Sequence, residues 1–264
     1  MSETDTKPLE QTDIAYRSLS KETGGYVIDL GDLFTAVEQD EIAKKIVANV
    51  LTKPDPITIL VEGSAFTQNI DFIDSALSGR NNPRDKVVLI DISPKSTRDH
   101  LERANALSTR DKYSITQGDM NNIPLENGSA DLVINDCAIN FNGDVTQNAR
   151  TISEIKRVMK PVQSVCLIST VVPKRYDSSE FGVDQELIPE KEVDQPQKFY
   201  PLTFSEPSTE ISRLCWPSPH YKSLFEKAGF VFSAFDTTRG KTYFPEKSEI
   251  SFRRFALTFP DKAF

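Results

Sequence analysis

Residues 57–73 read "ITILVEGSAFTQNIDFI". The run Ile57-Thr58-Ile59-Leu60-Val61, apolar but for Thr58, ends at Glu62-Gly63, and a segment with helical spacing of apolar residues follows at once. An apolar run without alternation marks a strand buried on both faces, the kind found in parallel sheets covered by helices. A strand that passes through glycine into a helix is how a strand–loop–helix cofactor cradle opens. Such cradles carry two or three glycines, whereas here Gly63 is followed by Ser64, Ala65, Phe66 and Thr67.

The alternation continues downstream. "KVVLID", 86–91, is a second buried strand, and Ser93-Pro94 supplies an N-cap and a first-turn proline for a helix through Leu107. "YSITQGD" and "ADLVIND" give a third and a fourth strand. Ala149, Ile152, Ile155, Val158 and Met159 then form one face of a helix that stops at Pro161, before the fifth strand, "SVCLIST". Ser218-Pro219 opens a helix with Tyr221, Leu224, Phe225 and Ala228 on one face, closed by Gly229. "FVFSAFD" and "SFRRFALTF" alternate, with no helical pattern between them, and read as a terminal hairpin. Upstream, Thr35 and Glu38 have capping-box spacing ahead of Ile42, Ile46, Val47 and Val50, predicting a helix over 35–51 before the breaker "KPDP".

This order predicts an α/β fold: a doubly wound, mainly parallel seven-stranded sheet with an antiparallel terminal strand. Residues 1–12 read as a disordered tail, 13–52 as an N-terminal helical cap and 53–264 as the main domain. A Pro- and Glu-rich insertion at about 172–217, carrying Tyr176, Phe199, Tyr200 and Trp216, has the length of a lid or of a disordered loop.

Composition narrows the function. Hydrophobic content of 38% and charged content of 27% are those of a soluble globular protein. A formal net charge of -8 argues against a nucleic-acid partner, whose phosphates are bound by Lys and Arg. The start, "MSETDTKPLEQTD", has no apolar core of a secretory signal, and no run approaches the ~20 apolar residues of a membrane span. Cys137, Cys166 and Cys215 are too dispersed for a disulfide framework or a metal set. The expectation is a cytoplasmic protein with no metal and no membrane partner; its oligomeric state is not legible.

In an open parallel sheet, ligands bind beyond the carboxyl ends of the strands, where strand order reverses. The residues there are Glu62-Gly63-Ser64, Asp91, Gly118-Asp119-Met120 and Asn135-Asp136-Cys137. Asp91, 28 positions after Gly63, is placed to accept both hydroxyls of a ribose. Each group alone also reads as a solvated turn or a helix cap. Four consecutive strands ending in polar groups at one edge make the stronger pattern.

"QGDMNNIPLENGSADLVINDCAINF" followed by "RTISEIKRVMKPVQSVCLIST" resembles the class I S-adenosylmethionine methyltransferases of the small-molecule, type-11-like kind. Their usual run is a Gly-Asp-hydrophobic segment, Leu-Pro, Phe-Asp-Leu-Val, then "EIxRVLKPGG" and an apolar strand. "YKSLFEKAGF" matches the family's penultimate helix, and the resemblance covers about 55–260. It implies a Rossmann-like methyltransferase domain with S-adenosylmethionine as cofactor. It places the loop of Glu62, Gly63 and Ser64 against the methionine part and ribose, Asp91 on the ribose hydroxyls and Ile92 beside the adenine. Asp119 accepts from the adenine amino group, Met120 adds apolar contact and a backbone amide, and the backbone at Asn135 and Asp136 meets the methionine ammonium. Three departures stand out: the GxGxG loop has lost its later glycines, the acid expected two places before Gly63 is Val61 with Glu62 beside it, and Val162-Gln163 replaces the glycines after Pro161.

Methyl transfer is an in-line displacement, and a base is needed only where the acceptor is still protonated. Candidates for a base are Asp136, His220 and Tyr176. His220 has a plainer reading as an exposed first-turn helix residue, and His100, beside Arg98 and Glu102, reads as surface. The fourth strand ends in "NDCAIN", not in the Asn/Asp-Pro-Pro-aromatic tetrad of enzymes that methylate nucleobase or glutamine nitrogens. With the acidic charge, this predicts a small-molecule acceptor methylated at oxygen or carbon. The alternative is a catalytically silent methyltransferase-like binding or assembly domain, which the altered glycine loop supports. A nicotinamide-dependent dehydrogenase would need the GxGxxG spacing that is missing here.

Overall fold

The computed structural model describes residues 37, 40–63, 68–136, 138–142, 144–173, 197–199, 213–215, 218–235 and 250–260. The strands are β1 (Thr58–Glu62), β2 (Lys86–Asp91), β3 (Tyr113–Gln117), β4 (Leu132–Asp136), β5 (Val165–Pro173), β6 (Gln197–Phe199), β7 (Arg213–Cys215), β8 (Val231–Phe235) and β9 (Ile250–Thr258). The helices are α1 (Glu41–Leu51), α2 (Gln68–Arg80), α3 (Pro94–Ala104), α4 (Val145–Val158) and α5 (Ser218–Ala228). Seven strands form one sheet in the order β3-β2-β1-β4-β5-β9-β8. β1 to β5 pair in parallel, and β9 runs antiparallel to both β5 and β8, as the terminal hairpin predicts.

The unbroken apolar strands have the expected cause. Ile59 and Val61 of β1 join one buried cluster with Ile70, Ile73, Leu77 and Ala104, and Leu60 joins a second with Ile152, Ile155, Tyr221 and Phe225. α1, α2 and α3 therefore cover one face, and α4 and α5 the other. The chain leaves β1 toward β2 and β3, then returns to build β4 and β5 on the opposite side, so the crevice at the switch point lies at the ends of β1 and β4.

Three details depart from expectation. α1 is capped by Asp40, whose Oδ1 accepts from Ala43 N at 2.8 Å, and the pair Thr35 and Glu38 lies outside the described residues. Ile42 is 60% exposed; Ala43 takes the inward place with Ile46, Val47 and Val50. α3 is capped by Ser93 but ends at Ala104, and its inward residues are Ser96, His100 and Ala104. His100, read as surface, is buried, because α3 has almost no apolar residue to set its inward face and Leu101 points out.

Where the resemblance calls for glycines after Pro161, Gln163 adopts a left-handed backbone, φ 52°, and its carbonyl accepts from Lys53 Nζ. Within the span read as an insertion, β6 and β7 pair as an antiparallel ribbon, and β7 packs on β5 and on a 3-10 turn at Ala138–Phe141. Residues 174–196 and 200–212, with Tyr176, and the N-terminal 1–36 lie outside the described residues. Among the described residues, no helix is long and apolar enough to cross a membrane.

Candidate functional site

Glu62 closes β1 on the α4 side of the sheet. It is fully buried: Oε2 accepts from Asn135 Nδ2 at 2.8 Å, and Oε1 has no hydrogen-bond partner among the described residues. Burial raises its pKa from the ordinary 4.5 to about 8; the Asn135 bond opposes the rise, and the charges of Glu154 and Asp119 add to it. Asn135 in turn accepts from Ile139 N at 3.0 Å, and its Nδ2 lies 3.8 Å from Met120 Sδ. Glu62, Met120 and Asn135 thus meet at the switch point.

Gly63 has φ 59°, and a Cβ there would lie 2.4 Å from Ala138 Cβ. Glycine is required because the turn after β4 rests directly on it, and its N–H donates to Ile90 O at 2.8 Å. Ser64 and Cys137, on either side of this contact, lie outside the described residues.

Asp91 is buried under α3. Its Oδ1 accepts from Ser93 N at 2.8 Å and its Oδ2 from Ser96 Oγ at 2.7 Å, so the carboxylate anchors the start of the helix. Ile92 is half-buried, with its carbonyl accepting from Gln117 Nε2. Asp119 is exposed. Both bonds it receives, from Asn121 N at 2.8 Å and Asn121 Nδ2 at 3.0 Å, end on Oδ1, so Oδ2 makes no hydrogen bond among the described residues. The loop that carries it is pinned to α4: Arg157 donates to Ile123 O and Leu125 O and holds Glu154, which accepts from Ile123 N. The Arg157 hydrogen bond also holds the Glu154 carboxyl below its usual range.

Asp136 ends β4, half-buried, in register with Ser169 of β5. His220, expected to be exposed, is buried, with Nε2 3.2 Å from Asn148 Nδ2 and its ring edge-on to Tyr221. Its Nε2 is committed inside the protein rather than offered to a substrate.

Sequence reasoning missed the asparagines of the segment after β4. Asn140 accepts from Thr170 Oγ1 at 3.1 Å and donates to Tyr221 Oη at 3.3 Å, tying β5 to α5. Asn142 donates to Asn148 Oδ1 and Thr151 Oγ1 on α4. The signal was present: Asn148 and Thr151 share the helical stripe of Ile152 and Ile155, polar residues on an apolar face.

Among the described residues, no group of three or more His, Cys, Asp and Glu is arranged to hold a metal. A hollow of about 400 Å³ lies at the opposite, amino-terminal edge of the sheet, lined in part by Leu77, Asn81, Ser108 and Lys112.

A family model described as "Methyltransferase domain" matches residues 70–229, more than half of the chain. No curated protein matches the sequence. Among solved structures, geranyl diphosphate C-methyltransferase from Streptomyces coelicolor is similar at 14% identity and TM-score 0.58, over 96% of this chain and 98% of that one. A Haemonchus contortus phosphoethanolamine N-methyltransferase gives 14% identity and TM-score 0.61, over 97% of this chain and 59% of that one. SpnF, a (4+2) cyclase, gives 12% and 0.60, over 96% and 95%. At such identities the likeness is one of fold.

Proposed function

The chain belongs to the methyltransferase-domain family, which uses S-adenosylmethionine, and on that premise we propose that it methylates a small-molecule acceptor at oxygen or carbon in the cytosol. The cofactor supplies an electrophilic methyl on a sulfonium. The residues at the switch point fit such a group. Asp119 Oδ2 has acceptor capacity for the adenine amino group, and the orphaned Glu62 Oε1 is a buried polar atom awaiting a hydrogen-bond partner. Ile92 and Met120 would flank the adenine, Gly63 would line the methionine side, and the backbone at Asn135 and Asp136 would accept from the ammonium; Ser64, assigned to the same side by the resemblance, lies outside the described residues. Asp91, whose two carboxylate oxygens hold the start of α3, is assigned to the ribose. Asp136 is the base candidate at the rim, for acceptors that must lose a proton; Tyr176 stays a second.

The state of Asp119 carries this reading: an exposed carboxylate, held in place from one oxygen and open on the other. The small acceptor is supported by the net charge, by the "NDCAIN" end of β4, and by the size class of the acceptors for which the Streptomyces and Haemonchus enzymes are named.

Calorimetric titration with S-adenosylhomocysteine tests the site. We expect binding by the wild type and a loss of about tenfold or more in Asp119→Ala and in Asp91→Ala, the range for hydrogen bonds to a charged group. The competing reading, a silent domain kept for binding or assembly, draws on the commitment of both Asp91 oxygens to α3. No heat at millimolar ligand would favour it.

A further inference from the structure

Asp119 at the rim and His220 in the first turn of α5 are the two ends of one hydrogen-bonded chain. Asn121 Nδ2 donates to Asp119 Oδ1 at 3.0 Å and to Asn142 Oδ1 at 3.2 Å. Thr151 Oγ1 donates to Asn121 Oδ1 at 2.9 Å. Asn142 Nδ2 donates to Thr151 Oγ1 at 2.9 Å and to Asn148 Oδ1 at 3.1 Å. Asn148 Nδ2 then meets His220 Nε2 at 3.2 Å. Asn142, Asn148, Thr151 and His220 are all buried.

The direction of each bond follows from the first. A carboxylate only accepts, so Asn121 turns its amide N–H to Asp119 and its carbonyl to Thr151. A hydroxyl has one proton; Thr151 gives it to Asn121 Oδ1 and must receive an N–H from Asn142. Asn142 is thereby oriented, and its second N–H fixes Asn148 with the amide nitrogen toward His220. Only an unprotonated ring nitrogen accepts there, so a neutral imidazole carries its proton on Nδ1. Turning any one amide would set donor against donor or lone pair against lone pair in a buried place, so the chain changes sense only as a whole.

We propose that His220 is a positioning residue: as the Nδ1-protonated tautomer it terminates the chain that orients Asn121 and, through it, the Asp119 carboxylate. The role at the rim rests on the cofactor reading above; the sense of the chain does not. It makes α5, which follows the long connection from β5, part of the scaffold of the adenine edge.

The sequence has two histidines, so imidazole ¹⁵N labelling yields two patterns, assigned with a variant lacking His100. Long-range ¹H–¹⁵N spectra of the full chain should show His220 with Nδ1 protonated and Nε2 bare at neutral pH. Asn148→Asp, which replaces the donor by an acceptor, should move the proton onto Nε2. A protonated Nε2 in the wild type, or an unchanged tautomer in Asn148→Asp, overturns the chain. In calorimetry with S-adenosylhomocysteine, His220→Ala should lose about fivefold in affinity, the worth of one neutral hydrogen bond. His220→Gln, whose Oε1 takes the Nε2 position, should stay within about twofold of wild type, the same bond being kept. If His220→Ala does not fold, His220→Asn, which withdraws the acceptor from that position, carries the same expectation. Equal affinity of the acceptor-less variant and wild type overturns the positioning role. Absence of binding by the wild type overturns the cofactor reading and the rim role with it, while the spectra still decide the chain.

Discussion

Glu62→Gln is the most informative single substitution, because it keeps the shape of a buried acid and removes its titration. Burial holds the folded-state pKa at about 8, against an ordinary 4.5. Between those values the folded protein keeps a proton that the unfolded chain has released. Stability from this group is therefore fully present below pH 4.5 and is lost as pH rises through about 8. At about 1.4 kcal/mol per pH unit, the loss is about 3 kcal/mol by pH 7 and levels off at between 4 and 5 kcal/mol above pH 9. Glutamine cannot ionise, and its carbonyl can still accept from Asn135 Nδ2. Urea denaturation of both proteins from pH 4 to 9 should give stability curves that converge at the acid end and separate in favour of the variant as pH rises. Parallel curves across that range would show that the carboxyl ionises alike in both states, refuting the burial argument.

Three further substitutions test other parts of the structure. His100 has no hydrogen-bond partner on either ring nitrogen among the described residues, and burial lowers its pKa from 6.5 to about 4. Its contribution is present above pH 6.5 and lost as pH falls toward 4, so His100→Leu should gain about 2.5 kcal/mol over wild type between pH 7 and pH 4.5, measured by urea denaturation; an unchanged pH slope contradicts this. Because Glu62 and His100 act with opposite sign between pH 4.5 and 6.5, the wild-type profile should be nearly flat there. Gly63→Ala should cost about 2–4 kcal/mol from the left-handed backbone and the clash with Ala138, and adding Ala138→Gly should recover the clash part in a double-mutant cycle. Gln163→Gly should raise stability by up to about 1 kcal/mol by relieving its positive φ, seen as a higher melting temperature.

Much of the architecture was legible because its signals are local. Unbroken apolar strands, the Ser93-Pro94 and Ser218-Pro219 helix starts and the alternating hairpin each state their structure within a few residues. Where the pattern was thin, reading failed: α3 has polar residues on both faces, and only the sheet beneath it makes His100 buried. The edge residues were placed correctly at strand ends, but their partners were not legible. Ser93 and Ser96 stood close enough to Asp91 to suggest a local cap, a competitor for the ribose role. Ala138 is 75 residues beyond Gly63, and nothing in the sequence says that the two touch. The glycine was read as room for a ligand, and it is at least as much room for the turn after β4.

The central claim is that an adenosine lies at the carboxyl ends of β1 to β4 with its amino group on Asp119. A crystal structure of the protein soaked with S-adenosylhomocysteine tests it most directly. The account predicts the adenine amino nitrogen within hydrogen-bond distance of Asp119 Oδ2 and the ribose beside Asp91. Nucleoside density in the hollow near Leu77 and Lys112, or at the rim with Asp119 untouched, would contradict it.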